Sequence, residues 1–253
     1  MVSRMPAHAV FPDFRFDRSF EIPGLETEAS AITFNPVTGN LLVVADEPAG
    51  IVEFTPEGEF VRRVKLKGFK DTEGLCHLEG HRFGIVEERK RRVTVIDLSP
   101  GVDKANDKGA RFNLDVEVER NKGLEGATYD AESDTLFTAR EAEPRSVFRV
   151  CPFLGDGETE ALEMALDLMG LRDLSDLYFD PMGPWLWVLS DESRAALVFD
   201  ELGAPVAKLS FERGSMGLPK AIPQAEGVTR DGLGRLFICS EPNVVYRFDS
   251  VSR

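Results

Sequence analysis

Apolar residues in this chain come in short bursts separated by turn-forming residues. Five bursts are apolar on both faces: Leu41 to Ala45, Phe83 to Val86, Thr135 to Ala139, Leu186 to Leu189 and Leu236 to Cys239. Strands of this kind are expected between two neighbouring layers. A shorter run precedes each one: Ala31 to Phe34, Leu75 to Leu78, Ala127 to Tyr129, Leu177 to Phe179 and Val228-Thr229. Between the two runs an Asn or Asp opens a turn in most cases, as in Asn35-Pro36, Asp180-Pro181 and Asp231-Gly232. Such side chains bond their own downstream backbone, Pro presets φ, and Gly supplies positive φ. A third run follows: Ile51 to Phe54, Val93 to Ile96, Val147 to Val150, Leu197 to Phe199 and Val244 to Phe248. The fourth runs are looser: Phe60 to Leu66, Arg111 to Val116, Ala161 to Leu168 and Pro205 to Phe211.

The unit is thus four strands, repeated with a period near 50 residues, about the length of one propeller blade. The fifth repeat has no fourth strand, while a spare β-like segment lies at the other end, from Phe14 to Ile22. Closed all-β folds leave few open strand edges. The expected architecture is therefore an all-β, five-bladed β-propeller of four-stranded blades, closed by the N-terminal strand joining the last blade. Residues 1–253 form a single domain in this reading. Ala161 to Leu171 has helical spacing at Leu162, Ala165, Leu166 and Met169, but the repeat register favours a strand. Pro100 to Gly109 and Arg213 to Pro223 read as long loops.

A short cassette opens each repeat: Glu28-Ala29-Ser30-Ala31, Asp71-Thr72-Glu73-Gly74, Gly123-Leu124-Glu125-Gly126, Asp173-Leu174-Ser175-Asp176 and Gln224-Ala225-Glu226-Gly227. Their third residues stand at 30, 73, 125, 175 and 226, steps of 43, 52, 50 and 51. If each cassette opens an innermost strand, the carboxylates Glu28, Glu73, Glu125, Asp173 and Glu226 converge on one channel. A second acidic set, Asp46, Glu87, Glu141, Asp191 and Glu241, trails the cassettes by 16, 14, 16, 16 and 15 residues. One hairpin separates the two sets, so both are expected at one end of the propeller. Basic residues accompany the second set, among them Arg89, Lys122, Arg140, Arg172, Arg194 and Lys220. That mixture is compatible with a face for a polar ligand, centred on the second acids with Arg140 and Lys122, or with a solvated loop face.

Composition adds mainly exclusions. The chain is 42% hydrophobic and 29% charged, with a net charge of −14. That balance opposes phosphate-backbone binding and attracts cations. No apolar run approaches the ~18 residues of a membrane span, and Met1 to Pro12 has no signal-like apolar core. Location is left open; an envelope or periplasmic place would require an anchor outside this chain. A monomer is expected. Cys76, Cys151 and Cys239 have no CxxC spacing and read as buried free thiols, with a disulfide or reactive thiol as the alternative. His77 and His81 lack a third ligand nearby, which argues against zinc.

Several motifs together resemble the bacterial SdiA-regulated family: DTEG at 71–74, NKGLEG at 121–126, DLSDL at 173–177 and PQAEGV at 223–228, with VADE at 44–47, IVEER at 85–89, LWVLSDES at 186–193 and ICSEPNVVYRF at 238–248. The resemblance spans roughly residues 14 to 250. It implies a five-bladed propeller related to NHL-type repeats and a calcium site, and no established activity. The calcium site carries over best onto Glu73, Glu125 and Glu226, which precede glycine. Ser30 and Ser175 hold that place in the other repeats, with Glu28 and Asp173 two residues earlier as substitutes.

Two carboxylates ~5 Å apart repel by about 3 kcal/mol at an effective dielectric near 20. A ring of them calls for cations, protons or basic partners. Calcium suits such a ring because it accepts six to eight oxygens in flexible geometry. The alternative is that the acids receive backbone amides and hold blades together. The expected function is a calcium-binding module for a small polar ligand or a protein, with a calcium-dependent lactonase-like or phosphoesterase-like hydrolase as the alternative. No GxSxG elbow occurs.

Overall fold

The five bursts that are apolar on both faces become strands because each face meets a different neighbouring blade. The structure, a computed structural model, describes residues 11–26, 28–114, 123–141 and 143–251. Strand β1 (Asp13–Glu21) comes first. Blade one holds β2 (Ala29–Asn35), β3 (Asn40–Ala45), β4 (Gly50–Phe54) and β5 (Phe60–Lys67). Blade two begins with β6 (Thr72–His77), β7 (Arg82–Glu87) and β8 (Arg92–Asp97). The chain then makes β9 (Lys104–Asn106) before blade two is completed by β10 (Arg111–Asn113). Blade three is β11 (Leu124–Asp130), β12 (Thr135–Arg140), β13 (Ser146–Cys151) and β14 (Glu160–Glu163). Blade four is β15 (Asp176–Asp180), β16 (Trp185–Ser190), β17 (Ala195–Phe199) and β18 (Pro205–Ser210). Blade five is β19 (Ala225–Arg230), β20 (Leu236–Ser240), β21 (Val244–Val251) and the N-terminal β1.

Closure follows the expected route. Strand β1 pairs antiparallel with β21 from Asp13 opposite Val251 to Glu21 opposite Val244, with one irregularity at Asp17. The last blade is thus built from both ends of the chain, and β1 covers the edge that β21 would otherwise expose.

The second strands explain the five-fold packing. Leu41 and Val43 of β3 join Phe237 and Cys239 of blade five in one apolar cluster. Leu42 and Val44 join Phe83 and Ile85 of blade two in the next. Val86 of blade two meets Leu136 of blade three, and Ala139 of blade three meets Leu186 and Val188 of blade four. Trp187 and Leu189 complete the ring against Leu236 and Ile238 of blade five. Each junction has its own core, and the side-chain period of two assigns alternate residues to alternate junctions. Trp187, Val188 and Phe237 are all fully buried.

Three expectations need correction. The segment Pro100 to Gly109 is not wholly loop: β9 adds to β5 in parallel, with Lys65 opposite Lys104, so blade one has five strands. Ala161 to Leu171 is neither helix nor long strand. After β14 the chain runs irregularly, and Leu168, Leu171 and Leu174 cap the core between blades three and four, which accounts for the leucine spacing. Cys76 and Cys239 are buried free thiols, but Cys151 is exposed because it lies on an outward position of β13. Burial pushes the Cys76 thiol up to about 12. Among the described residues no helix is long and apolar enough to cross a membrane.

Candidate functional site: an acidic mouth on the propeller axis

The innermost strands are β2, β6, β11, β15 and β19. In four of them the pairing with the second strand slips by one residue at the cassette. The slips fall between Ala29 and Ala31, Thr72 and Gly74, Glu125 and Ala127, and Ala225 and Gly227. A bulge of this kind leaves one residue unpaired and re-aims its side chain. The extra residues are Ser30, Glu73, Gly126 and Glu226. Glycine after the acid lets the inner strands crowd the axis. A Cβ on Gly126, which has φ +55°, would lie 2.6 Å from the Asp176 Cα of blade four. A Cβ on Gly227 would lie 2.6 Å from the Ile32 backbone nitrogen of blade one.

The bulges turn their polar residues toward a cavity of roughly 290 Å³. Its walls carry Glu73, Glu125 and Glu226 from the cassettes, Asp173 from blade four, and Ser30 and Ser175 where two cassettes lack an acid. Glu141, Asp191 and Glu241 from the second acidic set also line it, as does Glu192. Among the described residues no Lys or Arg lines this cavity.

The other site expectations sit elsewhere. Glu28 is exposed with φ +58° and lies outside the cavity wall, so no cassette carboxylate comes from blade one. Asp173 does face the cavity; its Oδ1 accepts the Ser190 hydroxyl and the Glu192 N–H at 3.2 Å. Glu87 is fully buried inside blade two, held by Lys90 at 2.6 Å and by Arg92. Glu87 does not line the cavity, and the next residue, Glu88, is the one that meets Glu125 and Glu141. Glu88, Glu125 and Glu141 each bring an oxygen within 4.8 Å of the other two. Spacing contained this signal, since Glu88 trails Glu73 by 15 residues, closer to the 15 and 16 of the other repeats. Arg140 turns back to the Pro144 carbonyl at 2.5 Å and the Ser146 hydroxyl at 2.7 Å, with its guanidinium over Phe148. It therefore clasps the end of β12 and does not line the cavity. Lys122 lies outside the described residues.

The second acidic set has a structural task as well. Asp46 accepts the Thr72 N–H at 3.1 Å, Glu88 that of Gly123 at 3.1 Å, and Asp191 that of Ala225 at 3.2 Å. Each is an acid of one blade holding the cassette of the next. At the two remaining junctions a backbone carbonyl serves: Glu141 O for Leu174 and Pro242 O for Ala29. Of these three fastening acids Asp191 also lines the cavity, whereas Asp46 and Glu88 lie outside its wall.

Asp176, the fourth cassette residue of blade four, occupies the place glycine holds in three other repeats. It is buried, and its Oδ2 accepts the Val228 N–H of blade five at 2.9 Å. Its Oδ1 has no hydrogen-bond partner.

Electrostatics matches this crowding. Burial, reinforced by the charges of Asp46, Glu88 and Glu241, lifts Glu73 to about 7. Burial together with Asp191 and Glu241 lifts Glu226 to about 8. Glu125 and Asp176 are pushed well above the ordinary carboxylate range, again first by burial. Asp191 is raised by burial and by Asp173. A group so arranged takes up protons or a cation near neutral pH.

Donor chemistry fits a hard, oxygen-liganded cation. Among the described residues every side-chain donor in the wall is an oxygen, and neither His nor Cys lines the cavity. Glu88, Glu125 and Glu141 each place an oxygen close enough to the other two to share one metal ion.

Fold and site together define a five-bladed β-propeller with an acidic mouth on its axis. The chain belongs to the SdiA-regulated family, whose model matches residues 7–249. Among solved structures it is similar to the glutaminyl cyclase of Myxococcus xanthus, with a TM-score of 0.64 at 15% identity, covering 95% of this chain and 98% of that one. A luciferin-regenerating enzyme matches with a TM-score of 0.60 at 14% identity, covering 93% and 96%. A gluconolactonase of Xanthomonas campestris matches with a TM-score of 0.56 at 13% identity, covering 98% and 99%. At these identities the likeness is one of fold.

Proposed function

We propose that the acidic mouth is a calcium site and that the protein is a calcium-bearing binding module for an oxygen-rich ligand. One observation carries this reading: three carboxylates from separate segments, Glu88, Glu125 and Glu141, converge within the reach of one ion. Glu73 and Glu226, buried among like charges, add to the need for a cation. The bound ion would supply positive charge for a carboxylate, hydroxyl or carbonyl oxygen entering the cavity. The protein's own part is to hold acids rigidly from four of the five blades and to keep cationic side chains out of the wall.

Calorimetric titration with calcium and magnesium tests this. Calcium that binds the folded state alone stabilises it by about 2.7 kcal/mol at a hundredfold excess over Kd. Calcium should raise the melting temperature more than magnesium does. Glu125→Gln and Glu226→Gln should remove most of that rise. No binding heat and no melting shift in the wild type would refute the site.

A second reading, metal-assisted hydrolysis of a lactone, ester or phosphoester, is favoured by Asp191. Its carboxyl is raised and lies in the same cavity, as a general base requires. A neighbour of the same fold is a gluconolactonase. Turnover in a lactone and ester panel that is lost in Asp191→Asn and in chelator supports hydrolysis. Silence in that panel with calcium binding intact leaves the binding module.

A further inference from the structure

The other end of the axis has a different chemistry. All five inner strands contribute to a second cavity, of roughly 460 Å³. Four residues of extended chain, about 13 Å, separate its Phe34 from Ser30 and its Tyr129 from Glu125. Phe34, Tyr129, Tyr178 and Phe179 give it aromatic walls. Apolar side chains stand exposed around it: Met182 on its rim, and Val37 and Leu233 on the adjoining turns.

Charge at this mouth is internally matched. Arg230 is ion-paired with Asp180, and its guanidinium also donates to the Gly234 carbonyl. Asp231 holds Arg235 at 2.6 Å and accepts the Leu233 N–H at 3.0 Å. His77 Nε2 lies 3.0 Å from the Gly80 carbonyl, which can only accept, so Nε2 carries the proton. Burial lowers the His77 pKa, so the ring is neutral near pH 7. Thr33 and Thr128 hydroxyl oxygens accept the backbone N–H groups of His77 at 3.3 Å and Phe179 at 2.8 Å. Each hydroxyl keeps its own proton to donate.

We propose that this second mouth binds a small, uncharged, flat-ringed organic molecule bearing a hydrogen-bond acceptor. Aromatic walls favour a flat ring by offset or edge-to-face contact. Roughly 300–1,000 Å³ is the usual range for small-molecule sites, and this cavity lies within it. An ionic ligand finds no counter-charge, because Arg230, Asp180 and Asp231 already satisfy one another or Arg235. A sugar needs many directed polar partners, and among the described lining residues there is no Asn, Gln or Lys. The site is independent of the acidic mouth and of calcium.

Benzamide is the test ligand, with benzoate and benzylamine as charged counterparts and glucose as a non-aromatic ring. Binding is followed by saturation-transfer NMR and calorimetry on the full chain, with and without chelator. Benzamide should bind saturably, with a Kd better than about 1 mM, and equally well in chelator. The charged analogues should bind at least about tenfold more weakly, and glucose not at all. Two variants locate the site. A Cβ on Gly232 would lie 3.9 Å from the Phe34 ring, ordinary contact at an unstrained φ, so Gly232→Leu fills the mouth without disturbing the fold. Phe34→Ala removes one wall. Both should weaken benzamide at least about tenfold; if Gly232→Leu lowers the melting temperature, Phe34→Ala decides. Absence of saturable benzamide binding to the wild type overturns the proposal. So does equal binding of the charged analogues or glucose, or undiminished binding in the deciding variant.

Discussion

The Glu88 carboxylate accepts the backbone N–H of Gly123 at 3.1 Å, so blade two holds the cassette of blade three. The approach is close: a Cβ on Gly123 would lie 2.2 Å from the Glu88 carbonyl oxygen. The same carboxylate belongs to the three-acid cluster with Glu125 and Glu141. One side chain therefore serves a blade junction and the candidate ion site, and the two roles can be separated. Glu88→Gln keeps an oxygen acceptor for Gly123 and removes the charge. Calcium affinity should fall at least about tenfold, while the chelated protein should melt no lower than wild type. Glu88→Ala should lose both affinity and about 1–3 kcal/mol of stability, because the Gly123 N–H is left buried and unpaired. Calorimetry and denaturant titration of the two variants decide the matter; equal calcium affinity in wild type and Glu88→Gln would remove Glu88 from the ion site.

The cluster also sets a pH dependence for the metal-free protein. Glu73 and Glu226 have folded-state values raised to about 7 and about 8 from 4.5. The folded state therefore binds more protons than the unfolded one between these values. Stability from this source is complete below about pH 4.5 and is lost as pH rises through 7 to 8. In chelator, the melting temperature should fall between pH 5 and pH 8, and calcium should reverse the loss most strongly at pH 8. Melting curves that are flat with pH in chelator would show that the carboxyls are solvated.

Removing residues 1–22 deletes β1 and exposes the edge of β21 along its whole length. It also removes Phe14, which packs edge-on against Trp187 at 5.8 Å. Aggregation or loss of a cooperative transition should follow. A truncated protein that stays monodisperse, with an unchanged melting temperature, would show that ring closure contributes little.

Arg230 and Asp180 form an ion pair between blades five and four, with side chains only 5% and 1% exposed. Arg230→Met strands the Asp180 carboxylate in the interior and should cost about 3–5 kcal/mol. Adding Asp180→Asn should recover a large part of that loss, since no buried charge then remains unpaired. A double-mutant cycle in denaturant measures this, and a near-zero coupling would contradict the buried pairing.

Local sequence carried the architecture because each blade is a nearly autonomous hairpin series. Leu41 to Ala45 and Leu186 to Leu189 had to be buried on both faces, and the repeat told where the next such strand began. Ring closure was legible for the same reason: a missing fourth strand after Phe248 and a spare one at Phe14 to Ile22 admit one economical solution. The cassette spacing brought Glu73, Glu125, Asp173 and Glu226 to one cavity. What local pattern did not decide was the direction of single side chains at strand ends. A one-residue slip sends a side chain to the opposite face, and the bulges at Ser30, Glu73 and Glu226 are such slips. Glu88, one residue past the end of β7, meets the cluster in place of Glu87, and Glu28, one residue before β2, remains outside it. Asp176 looked like part of a motif, yet only the crowding of inner strands at the axis made it a buried acid. The aromatic mouth around Phe34, Tyr129 and Tyr178 was invisible in sequence, since its walls come from five repeats and meet only when the ring closes.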